Sequence, residues 1–180
     1  MPVPFRDDAE IKALGLAAYL KMERDGSGYR GALFLVNARG EPVEFTYTRV
    51  EIPHTFLWRE ADIRHHAARQ IATSLFSTCP QTPSLILCLA EEVCSETFCH
   101  DIIVPVTVCR VAPAGADVSH EPAEQRQEAL SSEAWQLFWF PACPAEESNE
   151  HKLFKRLSSW GLLAEPFERA KTGLRTVYDE

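Results

Sequence analysis

The pattern of apolar and polar positions first predicts a β-hairpin in the early part of the chain. Residues 32–36 are apolar without a break, which is typical of a strand buried on both faces. Val43, Phe45 and Tyr47 alternate with polar residues, which is typical of a strand with one exposed face. Residues 37–40 between them have turn-forming composition, so the two strands are expected to pair as a hairpin.

Apolar residues at helical spacing predict four helices, one before the hairpin, one after it and two at the end of the chain. The first is predicted over residues 8–22, although Gly15 lowers its stability by about 1 kcal/mol relative to alanine. The second, over residues 59–76, has the clearest amphipathic stripe. That stripe consists of apolar residues four positions apart: Ile63, Ala67, Ile71 and Leu75. The last two helices are predicted over residues 147–160 and from Pro166 onwards.

Three further apolar runs predict strands at residues 85–89, 102–108 and 135–140. The segment 112–132 is rich in Ala, Pro, Gly, Glu and Gln, and we predict a surface loop or a partly disordered insertion there. The chain is therefore expected to form a single α+β domain over residues 1–180. Its antiparallel or mixed sheet would contain about five strands, with the amphipathic helix central and the two C-terminal helices packed on it.

The order of hairpin, helix and strand resembles in outline the roadblock and longin platforms, and it also resembles ribonuclease H-like sheets. A ribonuclease H-like metal site needs an acidic residue that projects from the first strand, with partners near other strand ends. The predicted strand 32–36 has no acid, and the turn explains Asn37 after it. The acids on or beside later strands are interpreted as solvated: Glu44, Glu91, Glu92 and Asp101.

Charge and segment composition narrow the class of protein. The 180 residues carry a formal net charge of −8. This excludes nucleic-acid binding by bulk charge and leaves open a local basic face. Residues 1–8 do not form a signal peptide, and no apolar run reaches the ~20 residues that a membrane span requires. We therefore expect a cytoplasmic protein without membrane contact, whose six cysteines are reduced.

The second predicted helix is locally basic in this acidic chain. Its basic residues are Arg59, Arg64, His65, His66 and Arg69. One interpretation is contact with nucleic acid or an acidic protein, and the other is a solvated face paired with Glu60 and Asp62. Interleaved aromatic residues would favour nucleic acid, and here Phe56 and Trp58 flank only the start of the helix.

Cys94, Cys99 and His100 are the strongest candidate metal ligands, because thiolate and imidazole groups bind zinc. A tetrahedral zinc site needs a second ligand pair, and the remaining candidates occur singly. We therefore predict no cofactor, with zinc as the alternative. A cysteine nucleophile would need a histidine nearby in space, and the spacing selects no pair. The candidates are Cys79, Cys94, Cys99 and Cys143 with His54, His65, His66 and His120.

The densest aromatic stretch is residues 135–140. Alternation places Trp135 and Trp139 on one side, and Phe138 and Phe140 on the other. Two apolar faces predict either a central strand or an edge strand that another chain covers. Trp135 and Trp139 are therefore candidate partner-binding residues, since tryptophan is enriched where interfaces carry energy.

The first functional hypothesis is a non-catalytic subunit or adaptor that acts through protein–protein contacts within a larger assembly. A protein partner or a second copy of the chain would cover its apolar surface. One alternative is a small hydrolase or nuclease that uses Cys/His chemistry or a bound metal. Another is a nucleic-acid-associated accessory factor that uses the basic helix. A thiol and an imidazole within bonding distance in a cleft would contradict the first hypothesis.

Overall fold

The computed structural model describes residues 8–130 and 134–179, with the side chains of residue 8 and residues 128–130 excepted. Its helices are α1 Asp8–Leu14, α2 Glu60–Thr78, α3 Asn149–Ser159 and α4 Glu165–Tyr178. Its strands are β1 Ala17–Asp25, β2 Gly28–Val36, β3 Pro42–Glu51, β4 Leu85–Leu89, β5 Thr107–Pro113, β6 Gln125–Leu130 and β7 Ala134–Phe140. Short turns of 3₁₀ helix at Thr55–Leu57 and of π helix at Thr97–Asp101 complete the described elements.

The strands form one mixed sheet in the order β3-β2-β1-β4-β5-β7-β6. Strands β1 to β3 are antiparallel neighbours, β4 pairs in parallel with β1 and β5, and β7 is antiparallel to β5 and β6. The predicted α+β class is confirmed, and so is the hairpin, which is β2 with β3. The sheet has seven strands instead of about five, because β1 and β6 were not predicted.

Strand β1 corrects the prediction of one helix over residues 8–22. The helix ends at Leu14, and Gly15 has φ +80°, which a residue with a side chain rarely adopts. The chain then enters the sheet between β2 and β4, and residues 17–22 are buried on both faces. A short, uniformly apolar run fits a buried strand as well as a helix, so periodicity alone does not separate the two.

Helices cover both faces of the sheet. Helix α2 packs on one face through the predicted stripe of Ile63, Ala67, Ile71 and Leu75, all of which are buried. Gly31 of β2 lies directly beneath Ile71, where a side chain would collide with the helix. On the other face, α1, α3 and α4 contribute to a second apolar cluster. None of the described helices has the length and apolar character to cross a membrane.

The segment 112–132, predicted as a loop or insertion, contains strand β6 and the end of β5. Strand β6 lies at the edge of the sheet and is mostly polar. A search for apolar runs therefore does not detect it. Arg110, which is 2% exposed, anchors the segment 114–124 through hydrogen bonds to two of its residues. The Arg110 guanidinium binds the Glu124 carboxylate at 2.8 Å and donates to the Ser119 carbonyl at 3.0 Å.

A buried ion pair joins the two central parallel strands. Lys21 lies in the middle of β1, and its ammonium contacts the carboxylate of Glu92, three residues after β4. The other Glu92 oxygen accepts the backbone N–H of Met22 at 2.9 Å. Burial raises the pKa of Glu92 above its usual range, and the Lys21 charge opposes part of that rise.

Removing only the lysine is expected to be costly. In Lys21→Met, Glu92 would be left buried without its cation, at a cost of about 3–5 kcal/mol in the free energy of unfolding at neutral pH. Because burial then raises the Glu92 pKa further, stability would be greatest at low pH and would fall as pH rises through the folded-state pKa. Urea denaturation at several pH values measures both effects.

Adding Glu92→Gln to this variant provides the control, because an amide oxygen still accepts the Met22 N–H and carries no charge. We expect the double variant to recover most of the loss and to show no Glu92-dependent loss as pH rises. A double variant no more stable than Lys21→Met at neutral pH would contradict this account.

Candidate metal centre

A large groove lies beyond the carboxyl ends of the parallel strands β4 and β5. Ligands commonly bind at this position in sheets with parallel strands. The groove has a volume of about 770 Å³. Its lining consists of Arg64, residues 89–91, 94–96, 110–113 and 116–119, Trp135, Ala164, Phe167 and Glu168. We call it the β4–β5 groove.

Three potential metal ligands meet beside this groove. Cys94 and Glu96 belong to the connection after β4 and line the groove, and His65 projects from α2. One ligand atom from each residue lies within 4.8 Å of the others. The His65 Nδ1 and the Cys94 Sγ are 2.9 Å apart. Among the described residues, this is the one group of three or more His, Cys, Asp and Glu side chains that is close enough to bind an ion.

Asp101 holds the imidazole of His65 in place. The Asp101 Oδ2 is 2.6 Å from His65 Nε2, a distance at which an N–H on Nε2 donates to this carboxylate, and Nδ1 faces Cys94. Asp101 is the last residue of the π-helical turn Thr97–Asp101. The first residue of this turn, Thr97, lies next to Cys94, with 3.4 Å between its Oγ1 and the Cys94 Sγ. Metal-binding histidines usually donate a hydrogen bond from the N–H of their second ring nitrogen to a carboxylate, a backbone carbonyl or a water molecule.

The donor set is suited to zinc. Thiolate, imidazole and carboxylate are all zinc ligands, and three protein ligands leave a fourth position for water or substrate. Burial raises the pKa of the Cys94 thiol, while a hydrogen bond from its own backbone lowers the pKa of Glu96. The thiol is therefore protonated near neutral pH, and an ion that binds it must displace that proton.

The predicted ligand set Cys94, Cys99 and His100 is only partly brought together. Cys99 and His100 lie inside the π-helical turn and are absent from the group around Cys94. His100 Nε2 is instead 3.6 Å from Glu121. Burial, with the nearby charge of Glu124, raises the pKa of Cys99 to about 11. The second half of the site comes from α2, which short-range spacing does not reveal.

The basic residues of α2 are not uniformly paired. Arg59 binds Asp62 at 2.6 Å, as predicted for a solvated face. Glu60 instead contacts Arg24 of β1, so it is not the partner of Arg64. The second predicted ion pair on this helix is therefore replaced by a contact with the sheet.

The remaining basic residues of this helix lie near aromatic or backbone groups. Arg69 lies 3.2 Å from Nδ1 of His66. The His66 ring contacts Trp58, with ring centroids 4.8 Å apart. Arg64 donates a long 3.4 Å hydrogen bond to the Glu91 carbonyl.

The two predicted partner-binding tryptophans have different environments. Trp139 has no exposed surface, packs against Phe154 and donates to Gln127 at 3.1 Å, so it is a core residue. Its strand β7 is central, between β5 and β6, and so is covered within the chain itself. Trp135 is half-buried and lines the β4–β5 groove.

Exposed apolar residues occur just before α2. Phe56 is 82% exposed and Leu57 is 74% exposed in the 3₁₀ turn Thr55–Leu57. His54, which precedes this turn, has φ +54°, a conformation that costs energy for a residue with a side chain. The turn presents two apolar side chains to solvent just before the basic helix.

The carboxylates of the first strand are already neutralised. That strand is β1 and not residues 32–36, and it carries Glu23 and Asp25. Glu23 binds Arg30 at 2.5 Å, and Asp25 lies 3.4 Å from Arg49. Among the described residues, no carboxylate of β1 joins a group that could bind a metal, which leaves the His65 group as the candidate centre.

The fold is similar to that of a known nuclease. No protein-family model and no curated protein matches the sequence. The structure resembles Endonuclease V from Bacillus subtilis, with a TM-score of 0.56 and 11% identity over 93% of this chain and 84% of that chain. At that identity the likeness establishes a shared fold only.

Two structures of Marinitoga piezophila Argonaute align more loosely. With guide RNA and target DNA the TM-score is 0.37, at 9% identity, over 83% of this chain. With guide RNA alone the TM-score is 0.39, at 9% identity, over 81% of this chain. The matched parts are 26% and 25% of those chains.

The prediction of a non-catalytic subunit or adaptor is wrong. The fold similarity to an endonuclease contradicts it, and so does the thiol–imidazole contact of Cys94 and His65 beside a groove. The prediction failed because it relied on the absence of a local motif, while the reactive groups come from two elements 29 residues apart.

Zinc binding tests this centre directly. We expect one zinc ion per chain, lost in Cys94→Ser and in His65→Ala because each removes a ligand. Asp101→Asn should weaken zinc binding about 10- to 100-fold, because the ring loses its carboxylate partner. Elemental analysis and competition with a chromophoric chelator measure content and affinity.

The matched control is Cys79→Ser, whose thiol lies outside the group and bonds to the Gln81 carbonyl. It should keep the affinity of the unmodified chain. Retention of full affinity by Cys94→Ser, with loss in Cys99→Ser, would show that the ion binds elsewhere.

Proposed function

We propose that this chain is a metal-dependent nuclease that hydrolyses phosphodiester bonds at the His65, Cys94 and Glu96 centre. The observation that carries the proposal is the convergence of these three side chains beside the β4–β5 groove, with Asp101 orienting His65. This arrangement corresponds to the nuclease alternative that the sequence left open. We further expect a cytoplasmic location, in keeping with the six free cysteines.

The fold similarity supports the choice of reaction. The protein with the same fold is named Endonuclease V, and the similarity spans 93% of this chain. Fold alone does not fix chemistry, because one fold can carry many reactions. The proposal therefore combines the fold with a local donor set and an adjacent groove, and it would fail without the donor set.

The chemistry required is hydrolysis. The oxygen of water forms a bond to phosphorus, the ester P–O bond breaks, and the leaving oxygen takes up a proton. A bound metal ion supplies charge stabilisation at a phosphoryl oxygen and lowers the pKa of water. His65, Cys94 and Glu96 would hold the ion, and Asp101 would fix the His65 ring. The remaining length of the groove would position the strand.

A surface suited to nucleic acid lies beside this centre on α2. Phe56 and Leu57 are exposed immediately before the helix, and Arg64 and Arg69 are exposed along it. Proteins that bind single strands combine cationic side chains with aromatic rings on which bases stack. Because the chain as a whole is acidic, this local combination is the part of the surface on which we expect a strand to bind.

A nuclease assay tests the reaction. We expect zinc-loaded protein to cleave a labelled oligonucleotide, and removal of the metal by a chelator to abolish cleavage until zinc is restored. Cys94→Ser and His65→Ala should reduce kcat at least about 100-fold, because each removes an interaction on which transition-state stabilisation depends. Product formation is measured by gel electrophoresis.

The control is Cys143→Ser, a half-buried cysteine outside the group, which should leave cleavage unchanged. Absence of cleavage by fully zinc-loaded protein across single- and double-stranded DNA and RNA would refute the nuclease proposal.

A second candidate follows from the same contact. Cys94, His65 and Asp101 are also ordered as nucleophile, base and orienting acid, which would suit a thiol hydrolase that acts on acyl substrates. The raised pKa of Cys94 argues against it, because an activated thiol usually has a lowered pKa. Hydrolysis of an activated ester that persists in excess chelator would favour this candidate over the nuclease.

Base stacking at the 3₁₀ turn gives a further prediction. Phe56→Ala should weaken binding of a single-stranded oligonucleotide about 5- to 100-fold, because one stacking contact is lost from an exposed position. Fluorescence anisotropy at fixed salt measures the dissociation constant. Phe56→Trp should retain binding, and Val177→Ala, an exposed apolar change on α4, should have no effect. Equal affinity of Phe56→Ala and the unmodified chain would remove this turn from the binding surface.

A further inference from the structure

Arg64 is an arginine without a carboxylate partner among the described residues. Glu60, one helical turn earlier, would be its usual partner on a helix, but Glu60 contacts Arg24 instead. The hydrogen bond recorded for Arg64 is the long one to the Glu91 carbonyl, at 3.4 Å. Its guanidinium is exposed and keeps most of its donors available to an anion.

Arg64 also lies where two cavities meet. It lines the β4–β5 groove, and it lines a second cavity of about 220 Å³ near the paired strands β1 and β4. We call this second space the β1–β4 cavity; it is bounded by residues 22–24, Tyr29, Glu60, Arg64 and residues 91–92. Arg64 and Glu91 line both spaces. Arg64 directly precedes His65 on α2, so it is close to the proposed metal centre.

The acidic lining of the β1–β4 cavity is mostly neutralised. Three of its carboxylates have cationic partners: Glu23 with Arg30, Glu60 with Arg24 and Glu92 with Lys21. Glu91 and Arg64 are the charged residues of its lining for which no ion pair is recorded among the described residues, and their charges are opposite. The cavity can therefore accept a polar, singly charged group at the Arg64 end without facing a net field of carboxylates.

We propose that Arg64 binds the phosphate next to the scissile phosphate, and that the β1–β4 cavity receives the nucleotide beyond it. This inference rests on the proposed nuclease function and specifies its substrate. The substrate is a strand that continues past the cleaved bond. Arginine suits this role because its planar guanidinium binds phosphate through two parallel hydrogen bonds.

Two substrates of different length test the assignment. Bis(p-nitrophenyl) phosphate has one phosphodiester and no neighbouring phosphate, whereas oligothymidylate has both. Arg64→Gln should lower kcat/KM for oligothymidylate about 10- to 100-fold, mainly through KM, and should affect the small ester at least about 5-fold less. Zinc content should stay at one ion per chain. Arg64→Lys should recover part of the loss, because it keeps the charge and loses the planar fork.

The matched control is Lys155→Gln, the same charge change at an exposed position of α3, with no expected effect on either substrate. Equal losses on both substrates would overturn the assignment, and so would an unchanged KM for oligothymidylate. If the unmodified chain hydrolyses neither substrate and cleaves no single- or double-stranded DNA or RNA, the nuclease proposal fails separately. Anisotropy titration with oligothymidylate then decides the role of Arg64, and equal affinity of Arg64→Gln and the unmodified chain overturns it.

Discussion

The burial of the sheet on both faces is the constraint on which the rest of this structure depends. Strands β1, β2 and β4 lie between α2 on one side and α1, α3 and α4 on the other, so nearly all of their side chains are in apolar surroundings. Polar chemistry cannot be placed within such layers without large desolvation costs. It is concentrated instead where the parallel strands end and the chain returns to solvent.

The connection after β4 contains two sets of polar groups, one that forms a buried ion pair and one that belongs to the candidate metal centre. Glu92 satisfies the one buried lysine of the central strand, and Cys94 and Glu96, a few residues later, face His65. The same short segment therefore balances the buried charge of Lys21 and contributes two of the three potential ligands of the candidate centre. A shift in the Lys21–Glu92 contact would therefore also move the backbone that carries Cys94.

The parts of the fold with local periodicity could be predicted from sequence. Helix α2 was recognised from its apolar stripe and β3 from its alternation, whereas β2 was recognised from an unbroken apolar run followed by turn residues. Strand β1 was not recognised, because its buried residues lack alternation and Ala18 and Tyr19 continue the helical spacing that begins at Ile11 and Leu14. Strand β6 was missed for the opposite reason: an edge strand is polar, and Gln125–Leu130 has little apolar pattern.

The candidate site shows the same division. The sequence identified Cys94 and His65 separately, one as a ligand and the other as part of a basic helix. Their pairing depends on how α2 packs over β1 and β2 and on the direction of the chain after β4, and neither is encoded in nearby residues. Asp101 was interpreted as a solvated acid because its partner is 36 positions earlier in the chain and close to it only after folding.

Arg110 joins two segments that border the β4–β5 groove. This one guanidinium donates to the carbonyl of Val93, beside Cys94, and to that of Ser119 on the facing loop. Its charge is balanced by the buried carboxylate of Glu124. Moving the segment that carries Glu124 away from Arg110 would leave a buried charge without its partner, which is costly. The separation of these two segments is thus set by buried contacts within the chain itself.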